Sequence, residues 1–257
     1  MRKYRSALLG VSLIVTTAPS QAALYDITYT GVVSSGYDET GKFLSAGSSF
    51  ANNPFTAVFT LNYPVPVGAY EYKDSVTHQV GGGDVYGTPS ILSAKITING
   101  RTDSVSGNYI GLDYLYDGPG QDNVYHDAQD FSSSLPNDWS FVYSYVYTEF
   151  DNYLNGPDIT QTVSYTADSN DHVGGGFQFR EYDEVAGAYN KNAYGNLSPS
   201  SVTISVSAVP EQSTWAMMIT AFGLTGAAFR RRRTGEVLEQ RSGPAAIAES
   251  VAKAVTV

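Results

Sequence analysis

Five aromatic residues stand two apart in one short run. Trp139, Phe141, Tyr143, Tyr145 and Tyr147 alternate with Ser140, Val142, Ser144, Val146 and Thr148. In an extended strand successive side chains point to opposite faces, so all five rings share one face. Two chemistries follow. An exposed ladder of flat rings stacks on sugars, with Trp139, Tyr143, Tyr145 and Tyr147 as the ligand-stacking groups. A buried ladder is the core of a β-fold, its tyrosine hydroxyls reaching partners at the edge. Large exposed apolar patches are rare without a partner, so the core is the first expectation and the Ser140/Val142/Ser144 face is expected to be wet.

Other residue types in suggestive patterns carry less. Asp113, Asp117, Asp122, Asn123 and Asp127 straddle a Gly-Pro-Gly turn and offer oxygen ligands that suit calcium, but the spacing matches no EF-hand, and a solvated acidic loop is the expectation. Asp168, Asn170 and Asp171 form a weaker cluster of the same kind. Gly81–Gly83 and Gly174–Gly176 each follow a valine, with His78 or His172 shortly before it. A phosphate loop needs a helix next, and strands follow here, so both triplets are expected to be turns or bulges. The three histidines, His78, His126 and His172, show no HExxH spacing, and no Gly-x-Ser-x-Gly elbow is present. No catalytic residue, cofactor site or metal site is assigned. Paired carboxylates for sugar hydrolysis are set by space rather than spacing.

The elements that must position these groups are strands. Phe55, Ala57, Phe59, Leu61 and Tyr63 alternate with polar or small residues, as do Leu92, Ala94, Ile96 and Ile98, and Val202, Ile204, Val206 and Ala208. Such period-two runs put one face on a core. Asn99-Gly100 closes the second run and reads as a hairpin turn. Further strands are expected at 25–33, 70–76, 110–116, 140–148, 159–166 and 177–182. Many strands, glycine-rich turns and no helical period predict an all-β, antiparallel, jelly-roll-like sandwich over residues 23–208.

Composition narrows the setting. The chain has 257 residues, no cysteine and a net charge of −10. Residues 24–208 hold 6 Lys and Arg against 21 Asp and Glu, a net of −15. That surface repels nucleic acid and anionic lipid. It uses neither disulfides nor thiol chemistry.

Both ends read as targeting segments. Arg2, Lys3 and Arg5 precede an apolar run at 7–15, and Ser20-Gln21-Ala22 supplies small residues before a cut, so residues 1–22 form a secretory signal peptide. Near the other end, residues 214–229 carry no charge and are followed by Arg230, Arg231, Arg232 and Arg233. As a helix this segment is about 24 Å long, close to a bilayer core of about 30 Å. A cytoplasmic arginine block and Trp215 at the opposite interface fit a transmembrane anchor. Residues 234–257 follow as a tail with a short helical spacing of apolar residues.

The stretch Val209-Pro210-Glu211, Trp215-Ala216-Met217-Met218, Gly223, Gly226 and the arginine block resembles the PEP-CTERM sorting signal of Gram-negative bacteria, in its PEPxxWA subtype. Gln212 stands where that signal has its second proline, and the chain continues past the arginines. A similar tail occurs in some ice-binding proteins. The resemblance implies Sec export, membrane anchoring, handling by an exosortase-type membrane protease, and release to the cell surface or an exopolysaccharide-rich biofilm matrix. It implies nothing about the 23–208 domain. The expectation is an exported, sorted surface or matrix protein without evident catalytic activity. A carbohydrate-binding module and a glycan-acting hydrolase on a jelly-roll scaffold are the alternatives.

Overall fold

Among the described residues, alternation along the chain becomes thirteen strands. They are β1 (Ala23–Asp38), β2 (Ser48–Ser49), β3 (Pro54–Tyr63), β4 (Tyr70–Lys73), β5 (Thr77–Gly82), β6 (Leu92–Ile98), β7 (Arg101–Val105), β8 (Ile110–Gly118), β9 (Gln121–Ser132), β10 (Asp138–Thr148), β11 (Val163–Thr166), β12 (His172–Asp183) and β13 (Ala188–Ser207). The computed structural model describes residues 23–132, 138–183 and 188–207. All belong to one unit spanning Ala22–Val209. The signal peptide, the 209–233 sorting segment with its expected 214–229 helix, and the 234–257 tail lie outside the described residues. Among the described residues the only helical element is a single 3-10 turn at Asp84–Tyr86, and no helix is long and apolar enough to cross a membrane.

The strands form one antiparallel sheet, not the two packed sheets expected of a jelly-roll sandwich. Its order is β4-β5-β8-β9-β10-β12-β13-β1-β3-β6-β7, with β11 added on β13 and β2 on β1. The sheet curls into a half-barrel. Two long strands make this possible. β13 takes β12 along its first half and β11 along its second, while β1 runs beside both. The β1–β13 register slips at Thr30/Gly31 and Val33/Ser35, and such bulges bend a sheet. At the bend the two backbones nearly touch. A Cβ on Gly31 would stand 2.2 Å from the Ser198 carbonyl oxygen, and one on Gly36 (φ +137°) 2.1 Å from that of Tyr194.

Curling turns one face inward and makes it the core. Ile27 and Tyr29 of β1, Phe59 and Leu61 of β3 and Ile96 of β6 are buried on that face. Val124 of β9, Val142 and Val146 of β10 and Ile204 of β13 join them. Tyr29 touches His126 of β9, four strands away along the sheet, with 2.7 Å between its hydroxyl and Nδ1. The 39–47 loop sends Phe43 into the core. Asp38 accepts hydrogen bonds from the amides of Gly41, Phe43 and Leu44 at 2.7–2.8 Å, and Phe43 is thereby seated against Phe50, Phe177 and Phe179. Burial alone would raise the Asp38 pKa. The hydrogen bonds from Leu44, Thr40, Phe43 and Gly41 outweigh it and hold the carboxyl below its ordinary value.

The inward and outward faces of β10 are the reverse of those expected. Val142, Ser144, Val146 and Thr148 are all 0% exposed, whereas Trp139 is 39% exposed and Phe141, Tyr143, Tyr145 and Tyr147 are half-buried. His126, paired beside Ser144, packs against Tyr29 and Phe59, so the inner face of β10 takes small residues there. Their hydroxyls are not stranded. Thr148 Oγ1 accepts from the amides of Phe150 and Asp151, and Ser144 donates to the Gly174 carbonyl.

Candidate functional site: the outer aromatic face

Because the inner face is closed, the rings of β10 lie on the outer surface, and strand pairing gathers more around them. Tyr145 stands beside Tyr125 of β9, which stands beside Tyr114 of β8. Tyr147 stands beside Asn123, then Tyr116. Tyr143 stands beside Asp127, then Leu112. Phe141 stands between Gln129 on one side and Gln178 of β12 on the other, with Tyr194 of β13 beyond. Each cross-strand row is on one face, so tyrosines and side-chain amides tile the outer surface of β8, β9, β10, β12 and the start of β13. Along β10, Trp139 to Phe141 is 5.6 Å between ring centres and Phe141 to Tyr143 is 6.0 Å. Tyr147 stacks on His172.

Polar groups are held among the rings. Trp139 Nε1 donates to Gln129 Oε1 at 3.2 Å, and Gln129 in turn donates to Asp127 at 2.7 Å. The Tyr125 hydroxyl donates to the same Asp127 carboxylate at 3.1 Å. Burial pushes the Asp127 pKa up, against the two hydrogen bonds. Burial likewise raises the Tyr143 hydroxyl, with Tyr145 and Asp127 adding to it. Between the rings of β10 and Tyr194 of β13 runs a trough of about 190 Å³ along β12, lined by Phe141, Tyr143, Gly176, Gln178, Tyr194 and Asn196.

The glycine triplets are strand residues rather than turns. Gly81 and Gly82 belong to β5, and Gly174, Gly175 and Gly176 to β12. On the outer face, Gly174 lies beside Tyr145 and Gly176 beside Tyr143.

The acidic stretch is divided between the two faces. Asp113 and Asp122 are buried on the inner side, while Asn123 and Asp127 share the outer side with the rings. Asp113 meets His126 Nε2 at 3.2 Å, completing an Asp113–His126–Tyr29 chain sealed in the core. Asp122 accepts from the amides of Tyr153 and Leu154, and Asp117 from that of Gly156, which ties the 150–158 loop to the β8–β9 end. Asp168 and Asp171 close their own turn: Asp171 accepts from the Asp168 amide and the Tyr165 hydroxyl, and Asp168 from the Asn170 amide. Among the described residues no three His, Cys, Asp or Glu side chains form a group that could hold a metal ion. The three histidines are scattered, with His126 in the core, His78 buried against Glu71 and His172 on the surface.

No protein-family model matches the chain, and no curated protein or solved structure matches it either. The sorting residues Val209, Pro210, Glu211, Trp215, Ala216, Met217, Met218, Gly223, Gly226 and Arg230 to Arg233 lie outside the described residues. Of the four candidate stacking residues, Trp139, Tyr143, Tyr145 and Tyr147, all share the outer face. Sequence reading missed Tyr114, Tyr125, Gln129, Gln178, Tyr194 and Asn196. The 110–116 alternation was a usable signal for Tyr114. Acidic residues in β9 masked the rest of its pattern.

Proposed function

We propose that this chain is an exported, C-terminally sorted surface or matrix protein whose outer aromatic face binds polysaccharide. The observation that carries this reading is the outward placement of the β10 ladder together with the tyrosines of β8 and β9. A sheet whose core is complete on its inner face has no structural need for Trp139, Phe141, Tyr143, Tyr145 and Tyr147 on the other. Flat rings with hydroxyls and amides between them suit the apolar faces and equatorial hydroxyls of pyranose rings. Export, handling by an exosortase-type protease and an exopolysaccharide setting are supported by the signal-peptide pattern and by the resemblance of residues 209–233 to a PEP-CTERM signal. The protein's role is then to hold matrix polymer rather than to cut it.

Affinity electrophoresis of the full chain in gels containing a soluble neutral glucan tests this. Retardation that Tyr145→Ala abolishes, with the protein still folded and its melting midpoint lowered only slightly, is the expected result. Absence of retardation across a panel of neutral, anionic and amino-sugar polymers would contradict it. Mass spectrometry of the mature C-terminus from native membranes tests the sorting reading. A cut near Pro210 is expected, and an intact Val257 terminus would count against it.

A further inference from the structure

We propose that the trough along β12 seats an uncharged polysaccharide chain, and that Gly174 and Gly176 are positioning residues that lay the Tyr145 and Tyr143 rings flat beneath it. This rests on the polysaccharide reading above and adds the polymer class and the device that shapes the site.

The ring orientation follows from the glycines. A Cβ built on Gly174 would stand 2.6 Å from Tyr145 Oη, 2.7 Å from Cζ and 2.8 Å from Cε1. Three bonded atoms nearly equidistant from one point place that point out of the ring plane, under the hydroxyl-bearing rim. Tyr145 therefore lies with its face over the Gly174 backbone and its other face outward. Tyr143 lies over Gly176 in the same manner, with Cε1 at 2.9 Å and Cζ and Oη at 3.3 Å. In both cases the three nearest atoms belong to that one tyrosine. A side chain there would press first on the ring and push it off the sheet. Glycine in a strand interior is unfavourable, since it orders a flexible backbone and packs nothing. Gly176 faces Tyr143 in the trough and Gly174 faces Tyr145 just outside it on the same face, and both serve the rings.

Its lining sets the ligand class. Phe141, Tyr143, Gly176, Gln178, Tyr194 and Asn196 carry no formal charge. Gln178 Nε2 donates to Asn192 at 3.3 Å and Asn196 Nδ2 to Ser35 at 2.9 Å, which leaves both amide oxygens without a donor among the described residues. They can accept from sugar hydroxyls. The rings of Phe141 and Tyr143 on one wall and Tyr194 on the other offer stacking faces. The domain around the trough has a net charge of −15, from 6 Lys and Arg against 21 Asp and Glu over residues 24–208, so a uronic-acid or sulfated polymer meets repulsion with no cation in the trough to offset it.

The test compares full-chain wild type, Tyr143→Ala and the double variant Gly174→Ala/Gly176→Ala by affinity electrophoresis in a neutral β-glucan and in a polyuronate. The double variant should keep or raise its melting midpoint while its affinity for the neutral polymer falls by at least about tenfold. Wild type should pass through the polyuronate unretarded. If wild type and the double variant bind the neutral polymer equally while Tyr143→Ala does not, the aromatic face binds polysaccharide but the glycines do not shape it, and this proposal falls alone. If wild type binds no polymer, the functional reading falls with it. Equal retardation in polyuronate overturns the neutral class. Should the double variant not fold, the single glycine variants replace it. Misfolding of both singles would show that the rings cannot swing, which also overturns the proposal.

Discussion

On the outer surface the two halves of one sheet differ. The half built from β1, β3 and β6 shows Thr28, Thr30, Thr56, Thr60, Lys95 and Thr97, tied in short hydroxyl bonds such as Thr60 to Asp26 at 2.8 Å and Thr30 to Ser201 at 2.7 Å. The half built from β8, β9, β10 and β12 shows tyrosines, amides and glycines. Both halves lie over one shared inner core. The Thr-rich half is what an outer strand face needs for stability alone: β-branched, hydrogen-bonded and polar. Its neighbour exceeds that need, and the excess is where function is to be sought.

The largest expected effect probes what the halves share. Asp38→Ala leaves the amides of Gly41, Phe43 and Leu44 without an acceptor and unseats Phe43, whose ring touches Phe177 and Phe179 of the aromatic half. A loss of about 3 kcal/mol or more in urea denaturation is expected, with both halves loosening together in hydrogen exchange. If only the 39–47 loop loosens, the two halves are independent. The same contact has a pH signature. The folded pKa of Asp38 is held below its ordinary value of 3.8, so its contribution is complete above that pH and is lost as pH falls through the folded value. Wild type should therefore lose stability below about pH 4 more steeply than Asp38→Asn.

A middle-sized effect tests the inside-out assignment. Val142→Ala, on the inner face at 0% exposure, is expected to cost about 2 kcal/mol, while Tyr143→Ala on the outer face costs about 1 kcal/mol despite removing a far larger side chain. Val58→Ala, on the outer side of the Thr-rich half, should cost less than Val142→Ala. Reversal of the Val142 and Tyr143 order would return the aromatic ladder to the core. The smallest effect sharpens the contrast between halves: Thr56→Ala should change stability by no more than about 0.5 kcal/mol and leave polysaccharide binding intact.

What could be read beforehand follows the same division. Runs 55–61 and 92–98 announced β3 and β6 with the correct faces inward, because there bulk and burial coincide in Phe59, Leu61 and Ile96. The run at 202–208 held for Val202 and Ile204, but Val206 is 58% exposed near the end of β13. Asn99-Gly100 does form the β6–β7 hairpin, with φ +52° and +75°. In β10 bulk and burial separate, and a rule that places large rings inside picks the wrong face. β9 was hidden because Asp122, Asp127 and Asp130 are poor strand residues whose cost is met in part by partners from distant loops and neighbouring side chains. Closure into one curled sheet depends on two register slips in β1 and on β13 accepting two partners in turn, and alternation encodes neither. Gly174 and Gly176 looked like turn residues because their use, yielding space to rings on the next strand, appears only once β10 and β12 are paired.

The most direct test is chemical labelling of tyrosines in the native protein, read residue by residue in mass spectra with and without a neutral glucan. Tyr145 and Tyr147 should be nitrated in the free protein and protected by the polymer, while Tyr29, buried in the core, stays unlabelled in both. Protection of Tyr145 and Tyr147 in the free protein, or labelling that the polymer leaves unchanged, would contradict an outward, sugar-binding aromatic face.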